Sequence, residues 1–414
     1  MGLPTNRRRA DLRGAARLAA DATLGVTDVV EAMHRRIARL PGRGSADTAR
    51  TEGITGLVYR SIRGITRAVG AGVDAAFSLL PAAADAAGEP GRQREALVAA
   101  LNGVFGDHLA ATGNPLATPM ALRRDGRALV IERAALAAAL PGASDRALLL
   151  VHGLCMNDLQ WSREQGDEHG RDRHDHGAAL ARDLGFAPLY LHYNSGLHIS
   201  HNGRALAELL ERLLAEWPGR LRQLVLLGHS MGGLVARSAI AQAEAAGMQW
   251  TARLGALVCL GTPHHGAALE RAGHGLDTVL SATPYAAPLA RLGKARSAGI
   301  TDLRHGWVMD AQWAGRDRFA PLSKARQVAS PPLPARVRCF AAAAALGAAG
   351  GVPQRLLGDG LVSVDSALGR HRDPRRTLGF AADHQWLGHG IDHLQLLDHG
   401  ELYPQLVRWL AEPA

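Results

Sequence analysis

The residue with the clearest chemical signature is Ser230, which lies in a Gly-His-Ser-Met-Gly segment. An apolar run, Leu224 to Leu227, precedes this segment, and a helix-like stretch, Leu234 to Ala246, follows it. A Gly-x-Ser-x-Gly pattern between a strand and a helix is typical of a sharp, strained turn that lifts the serine hydroxyl clear of the sheet. Glycines flank the serine because a Cβ there would clash across the turn. The pattern predicts that Ser230 is a nucleophile.

A serine hydroxyl is a weak nucleophile until a base takes its proton, and the base needs an acid that orients it. Behind a turn of this kind, the acid and then the histidine follow the serine along the chain. We expect the acid at Asp359, in a Gly-Asp-Gly loop after the predicted strand Val337 to Ala341, and the base at His393. The alternatives are Asp365 and Asp383 for the acid, and His384, His389 and His399 for the base.

Attack on a carbonyl also requires two N–H donors for the negative oxygen that forms. One donor is expected at the backbone of Met231, directly after the nucleophile. The other is expected in the loop that follows the predicted strand Ala147 to Val151, where Gly153 permits a close turn and Leu154 carries the N–H.

Five segments together resemble the lipase and esterase branch of the α/β-hydrolase superfamily. The resemblance covers about residues 116 to 414, and it departs from many secreted lipases at Cys155-Met156-Asn157. The segments are His152-Gly153-Leu154, Gly228 to Gly233, Gly358 to Val362, Asp392-His393-Leu394 and the Gly-Thr-Pro-His loop that begins at Gly261.

The resemblance implies an α/β-hydrolase fold and a set of roles. Ser230 would be the nucleophile, Asp359 the acid and His393 the base, while Leu154 and Met231 would form the oxyanion hole. Contacts with the substrate are expected from His152, Gly153, His229 and His264.

The alternation of apolar runs with helix-like stretches independently predicts a mostly parallel, doubly wound sheet. The chain enters it through a hairpin, Met120 to Arg123 and Arg127 to Ile131, around Asp125-Gly126. The predicted strands are Ala147 to Val151, Pro188 to Tyr193, Leu224 to Leu227, Ala256 to Leu260 and Val337 to Ala341.

The region Ala267 to Pro334 shows no strand pattern and is predicted to form a helical cap over the serine. Its apolar residues would line an acyl pocket, among them Leu276, Val279, Leu280, Leu289 and Leu292.

Residues 1 to 115 are predicted to form a separate helical region ahead of a hydrolase domain over residues 116 to 414. Two helices carry narrow apolar stripes, from Leu18 to Leu40 and from Ile54 to Leu80, and a third spans about Gln93 to Thr112. Arginines 60, 63 and 67 share the polar side of the second helix. Two interpretations are open: the stripes pack on the catalytic domain, or they lie on a lipid or polymer surface.

Charge and composition indicate which classes of partner the protein could bind. The formal charge is +9, yet no nucleic-acid motif accompanies it, so we expect a membrane or acidic polymer as the anionic partner and no nucleic acid. The cysteines Cys155, Cys259 and Cys339 lack paired spacing and are interpreted as reduced core thiols. The arginines at the N-terminus are not followed by a continuous apolar run. We therefore expect a cytoplasmic protein that contacts lipid, if at all, peripherally through its N-terminal helices.

A further cluster, His169, His174 and His176 with Asp172 and Asp175, could bind zinc. It lacks a clean i, i+4 ligand pair with a distant partner, so no metal is assigned. None of the motifs named above requires a cofactor.

These residues predict a carboxylic-ester hydrolase that forms an acyl-enzyme on a small-molecule or lipid ester, with a thioester or a storage polyester as other acyl donors. An acyltransferase or a thioesterase would need the same triad. The alternative from another class is a lipid- or granule-surface binding protein with a vestigial hydrolase domain, and the complete triad argues against it.

Overall fold

The computed structural model describes residues 11, 13–21, 24, 91–142, 144–165, 172–267, 297–316, 329–347 and 358–411. They form two compact units. The larger comprises Gly91–His108 and Thr118–Ala414 and contains the sheet. The smaller comprises the residues before Gly91 together with Leu109–Ala117. Within it Asp11, residues 13–21 and Leu24 are helical, and the Asn114 side-chain amide donates to the carbonyl of Gly14 at 3.0 Å.

Eight strands of the described chain form one sheet, and two short strands form a separate ribbon. The ribbon pairs β4 (Arg163–Gln165) with β5 (Asp172–His174). The strands of the large sheet are β1 (Ala121–Arg124), β2 (Arg127–Ala128), β3 (Arg146–Val151), β6 (Ala187–His192), β7 (Gln223–His229), β8 (Leu254–Leu260), β9 (Arg338–Ala345) and β10 (Gln385–His389).

Helices connect these strands. They are α1 (Arg92–Ala111), α2 (Arg133–Ala139), α3 (His176–Leu184), α4 (Ile199–Glu216), α5 (Met231–Ala246), α6 (Ala298–His305), α7 (Asp310–Trp313), α8 (Val364–Ala367) and α9 (Leu402–Ala411). Short 3₁₀ turns lie at Asp158–Trp161, Gln249–Arg253, Pro374–Arg376, Ala382–His384 and Gln395–Leu397.

The sheet order is β10-β9-β8-β7-β3-β6-β1-β2. All neighbouring pairs from β10 to β6 are parallel, and the hairpin β1–β2 adds antiparallel to β6. The carboxyl ends of β3, β7, β8, β9 and β10 therefore meet at one edge of the sheet. The predicted fold class, a mostly parallel doubly wound sheet opened by a hairpin, is confirmed.

Side-chain alternation along β3 shows why the sheet is covered on both faces. Leu149 and Val151 join the core cluster that includes α4 and α5, whereas Leu148 and Leu150 join the cluster that includes α3 and α9. Successive side chains of a strand point to opposite faces, so a continuous apolar run is stable only when helices cover both.

The sequence placed the central strands within a few residues of their observed bounds and missed the end of β9, the edge strand β10 and the β4–β5 ribbon. It ended β9 at Ala341, whereas the strand continues through an alanine run to Ala345. It also missed β10, a short edge strand whose exposed and half-buried residues follow no alternating pattern.

Several predictions fall on residues outside the described part of the chain. In the predicted cap, residues 297–316 form α6 and α7 and contain no strand, while Leu276, Val279, Leu280, Leu289 and Leu292 lie outside the described residues. Most of both N-terminal apolar stripes also lies outside them, so their packing, their contact with a surface, the domain boundary at residue 115 and the cellular location stay predictions.

None of the helices in the described ranges combines the length and the apolar character that a membrane span requires. The three cysteines are buried and form no disulfide, and burial raises the pKa of each thiol to about 12. Such thiols stay protonated and unreactive.

Arg146, at the start of β3, links the sheet to two helix ends. Its guanidinium donates to the Gln223 side chain at 2.7 Å and to the carbonyls of Leu184 and Leu410 at 2.9 Å, and lies 4.1 Å from the Phe186 ring centre. Both carbonyls belong to the last turns of α3 and α9, where the helix dipole also favours a cation.

We expect Arg146→Met to lower the free energy of unfolding by about 2–4 kcal/mol, because it removes these charged hydrogen bonds and leaves helix carbonyls without a donor. Urea unfolding measures the change. The matched control is Arg222→Met, which removes an exposed ion pair with Asp145 and should change the free energy by less than about 0.5 kcal/mol. Equal losses in the two variants would contradict the anchoring role.

Candidate active site

Ser230 occupies the turn between β7 and α5 with φ 54° and ψ −122°. A side chain other than glycine rarely adopts this conformation, which costs about 1–3 kcal/mol. The turn fits closely against its neighbours: a Cβ on Gly232 would collide with the carbonyl oxygen of Val151, and one on Gly228 would collide with the backbone of Gly233. The predicted strand–turn–helix around the serine is therefore observed.

Ser230 and His393 border the same cavity, which is partly open to solvent and spans about 440 Å³ when the open solvent at its mouth is included. The carboxyl ends of β3, β7, β8 and β10 and the loop after β9 supply most of its wall, and α6 adds one residue. The residues along it are Gly153, Leu154, Met156, His229, Ser230, Pro263, Ala267, Leu303, Leu361, Val362, His393 and Leu394.

Asp359 and His393 form a buried hydrogen-bonded pair. Asp359 Oδ2 accepts from His393 Nδ1 at 2.6 Å, and the side chains are 0% and 5% exposed. Asp359 Oδ1 accepts the backbone N–H groups of Leu361 at 2.9 Å and Val362 at 2.7 Å, so the carboxylate cannot rotate freely. With Nδ1 donating to the carboxylate, Nε2 of His393 keeps its lone pair. This atom is buried and has no hydrogen-bond partner within the described chain.

The two backbone donors predicted for an oxyanion hole belong to Met231, which follows Ser230 in the chain, and to Leu154, in the turn after β3. Met231 opens α5, where the first N–H groups of a helix have no partner within the helix. Leu154 lies in a turn so close to the serine that a Cβ on Gly153 would stand 3.1 Å from Ser230 Cβ. No acceptor among the described residues takes the N–H of Leu154 or of Met231.

The structure does not bring the alternative acids and bases to this cavity. Asp365 and Asp383 are exposed, in α8 and in the 3₁₀ turn before β10. His384 Nδ1 bonds to the carbonyl of Cys339 at 3.1 Å, His389 is exposed, and His399 accepts the N–H of Glu401 at 3.3 Å. Among the candidates, Asp359 and His393 are the acid and the histidine that meet.

Of the residues expected to contact substrate, Gly153 and His229 border the cavity, whereas His152 and His264 are not among the residues that line it. The His152 ring stacks on Tyr193 with centroids 4.3 Å apart, and the guanidinium of Arg237 donates to Nδ1 of His264 at 3.3 Å. Both histidines are almost fully buried, at 0% and 1% exposure. The substrate contact predicted for these two residues is not visible in this arrangement.

The histidines considered as possible zinc ligands make other contacts. His174 and His176 hydrogen-bond to each other at 2.8 Å, and His176 Nε2 bonds to the carbonyl of Leu396 at 3.0 Å. His169 lies outside the described residues. Within the described ranges, no group of three potential ligands converges.

Sequence reasoning missed the cavity walls that come from distant elements. Leu303 arrives from α6, and Leu361 and Val362 arrive from the loop that carries Asp359. The signal for the latter two was present, because they directly follow Asp359 and their N–H groups hold its carboxylate. Leu303 lies in the region Ala267 to Pro334, whose apolar residues were predicted to line the pocket, but the sequence did not single it out from the other apolar residues there.

Gly261, at the end of β8, controls the space beside the base. Its φ is +57°, and a Cβ there would stand 2.9 Å from Cε1 and 3.0 Å from Nδ1 of His393. We expect Gly261→Ala to displace the imidazole and to slow covalent labelling of Ser230 by an aryl phosphonate by about 10²-fold. Gly247→Ala is the control, since its φ is +66° but no atom lies within 4 Å of the added methyl. Equal labelling rates would contradict close packing of Gly261 on the base.

Burial lowers the pKa of several histidines in and around the site. It lowers the pKa of His152 and His176 to about 3 and that of His265 to about 4, and it holds the pKa of His229 and His264 well below the usual range. These imidazoles are neutral in the folded protein at neutral pH. Below about pH 6.5, these five histidines therefore bind more protons in the unfolded chain than in the folded chain.

We therefore expect the free energy of unfolding to fall as the pH drops below about 6.5, by up to about 1.4 kcal/mol per pH unit for each buried histidine. Urea unfolding at pH 7, 6 and 5 measures this slope. His152→Gln should flatten it, because one neutral imidazole is removed. A slope identical in the wild type and the variant would show that His152 does not resist protonation.

Residues 143–336 match the family model of the PGAP1-like alpha/beta domain. No curated protein sequence matches the chain. The match covers less than half of the chain, and together with the observed sheet it supports the resemblance to the α/β-hydrolase fold.

Solved structures with a similar fold are distant in sequence. Lipase BlEst2 of Bacillus licheniformis is 20% identical, with a TM-score of 0.40 over 65% of this chain and 92% of its own. Esterase Pf2001 of Pyrococcus furiosus is 12% identical, with a TM-score of 0.35 over 64% and 80%. The α/β hydrolase MGS-MChE2, from a lagoon-sediment metagenome, is 15% identical, with a TM-score of 0.33 over 64% and 90%.

Proposed function

We propose that this protein hydrolyses carboxylic esters through an acyl-enzyme formed on Ser230. The observation that carries the proposal is the buried Asp359–His393 pair, in which Nδ1 of His393 lies 2.6 Å from the carboxylate. Nε2 of His393 has no partner within the described chain, and His393 borders the same cavity as Ser230. A serine at a strained turn, an oriented imidazole and a fixed carboxylate are the three parts that nucleophilic acyl transfer needs.

In the first half of the reaction, the Ser230 oxygen attacks the ester carbonyl carbon while His393 Nε2 takes the hydroxyl proton. The carbonyl oxygen becomes negative and accepts the N–H groups of Leu154 and Met231. Collapse of this intermediate expels the alcohol, which leaves with the proton held by His393. Removing a single donor from such a hole typically costs about 10²–10³ in rate.

In the second half, His393 Nε2 takes a proton from water and the resulting hydroxide attacks the acyl-enzyme. Collapse returns the proton to Ser230 and releases the carboxylic acid. Asp359 keeps its hydrogen bond to Nδ1 in both halves and stabilises the imidazolium that forms, which a carboxylate held by two backbone N–H groups does without reorganising.

The cavity wall indicates an uncharged, largely apolar acyl group. No carboxylate or guanidinium among the described residues borders it, and most of its side chains are aliphatic or thioether groups. Such a wall offers no partner for a charged acyl group, whose desolvation would then be uncompensated. This supports lipid or other apolar acyl esters as substrates.

We expect Ser230→Ala to lower kcat/KM for p-nitrophenyl esters by about 10⁴–10⁶ while the circular dichroism spectrum and Tm stay unchanged. A series of acyl chain lengths on the wild type measures the preference of the cavity. Ser144→Ala is the matched control, because Ser144 lies before the amino end of β3, at the opposite edge of the sheet.

Ester hydrolysis by Ser230→Ala near the wild-type rate would contradict the assignment of the nucleophile. A wild type that neither cleaves esters nor gains one phosphonate adduct at Ser230 would contradict the proposed function and favour a binding role for the domain. Faster product formation with added alcohol than with water alone would instead indicate acyl transfer.

A further inference from the structure

We propose that His229 is a positioning residue for His393: its side chain holds the backbone carbonyl of the base and thereby fixes the base relative to the nucleophile beside it in the chain. This inference rests on the proposed function and adds a residue that the Ser230–His393–Asp359 set does not contain.

The contact is direct and its direction is unambiguous. His229 Nε2 lies 3.0 Å from the carbonyl oxygen of His393, across 164 positions of the chain. A carbonyl oxygen only accepts, so Nε2 of His229 carries the proton and donates it. The two rings also pack against each other, with centroids 4.7 Å apart and planes tilted by 47°.

His229 joins two elements that are distant in the sheet. It is the last residue of β7 and precedes Ser230, whereas His393 lies in the loop after β10, and β8 and β9 separate those strands. A hydrogen bond from this position therefore sets the separation of nucleophile and base more directly than contacts within either loop can.

The other hydrogen bond to the backbone of His393 is longer than the one from His229. The N–H of His393 donates to the carbonyl of Asp359 at 3.3 Å, at the long end for an amide hydrogen bond. The bond from His229 at 3.0 Å thus complements the side-chain bond to Asp359. One neighbour orients the imidazole, and the other holds the peptide unit to which it is attached.

The surroundings of His229 suit a rigid, neutral donor. Its side chain is fully buried, and a Cβ on Gly153 would stand 3.3 Å from its Nδ1. Burial lowers the pKa of His229 well below the usual range, and the nearby His393, Arg163 and His152 act in the same direction. A neutral ring also avoids opposing the positive charge that His393 acquires during each proton transfer.

Two variants separate the hydrogen bond from simple packing. His229→Gln keeps an N–H donor at nearly the reach of Nε2, whereas His229→Leu keeps much of the volume and loses the donor. We expect His229→Leu to lower kcat for p-nitrophenyl butyrate about 10²-fold with KM changed less than about threefold, and His229→Gln to recover most of the loss. His108→Leu, an exposed histidine of α1, is the control for removing an imidazole.

A second readout does not depend on ester hydrolysis. The proton shared by His393 Nδ1 and Asp359 should give a downfield ¹H resonance that is sharp in the wild type and His229→Gln and broadened by solvent exchange in His229→Leu. If wild type shows no esterase activity, the proposed function fails while this measurement still tests the positioning of His393.

The inference is overturned if His229→Leu keeps the kcat of the wild type together with a sharp resonance. It is also overturned if Leu and Gln lower kcat equally and lower Tm equally, because that result describes packing of the ring and not donation by Nε2. Recovery in the glutamine variant alone supports it.

Discussion

The site depends first on the backbone turn at Ser230, where the chain leaves β7 and enters α5 with φ 54°. The conformation is unfavourable by itself, at about 1–3 kcal/mol, and persists because its neighbours allow no relaxed alternative. Every residue of β7 is buried, and most of α5 is buried as well. The strain is thus held by two well-packed elements, and the hydroxyl stays at the edge where the carboxyl ends of the parallel strands meet.

That edge explains why residues far apart in the chain become neighbours. A loop follows the carboxyl end of each parallel strand, so β3 contributes the Leu154 turn, β9 the Asp359 loop and β10 the His393 loop to one cavity. The contacts between loops are then few but specific: a carboxylate held by two backbone N–H groups, an imidazole held by that carboxylate, and a carbonyl held by His229. Each is buried, so each hydrogen bond operates with little competition from water.

The same burial determines the charge state of the histidines around the site. Several histidines surround the site, yet burial keeps His152, His229 and His264 neutral. Neutral rings serve as donors and acceptors of fixed direction, and in the proposed reaction they leave the change of charge to His393. The expected consequence is that the free energy of unfolding falls in acid, because these imidazoles bind protons more readily in the unfolded chain than in the folded chain.

The sequence alone determined the parts that local chemistry dictates. The elbow at Ser230, the Asp-Gly hairpin at Asp125 and the apolar runs of β3, β7 and β8 are set by backbone sterics and side-chain alternation, which act over a few residues. The Gly-Asp-Gly loop and the late histidine could be picked out by type and order. Only the tertiary structure decided that Asp359 and His393 meet while Asp383 and His384 do not, which apolar residue of α6 borders the cavity, and that His152 and His264 do not line it. Those outcomes depend on how strands order themselves in the sheet and how far each loop reaches, and such long-range packing leaves no periodic trace in the chain.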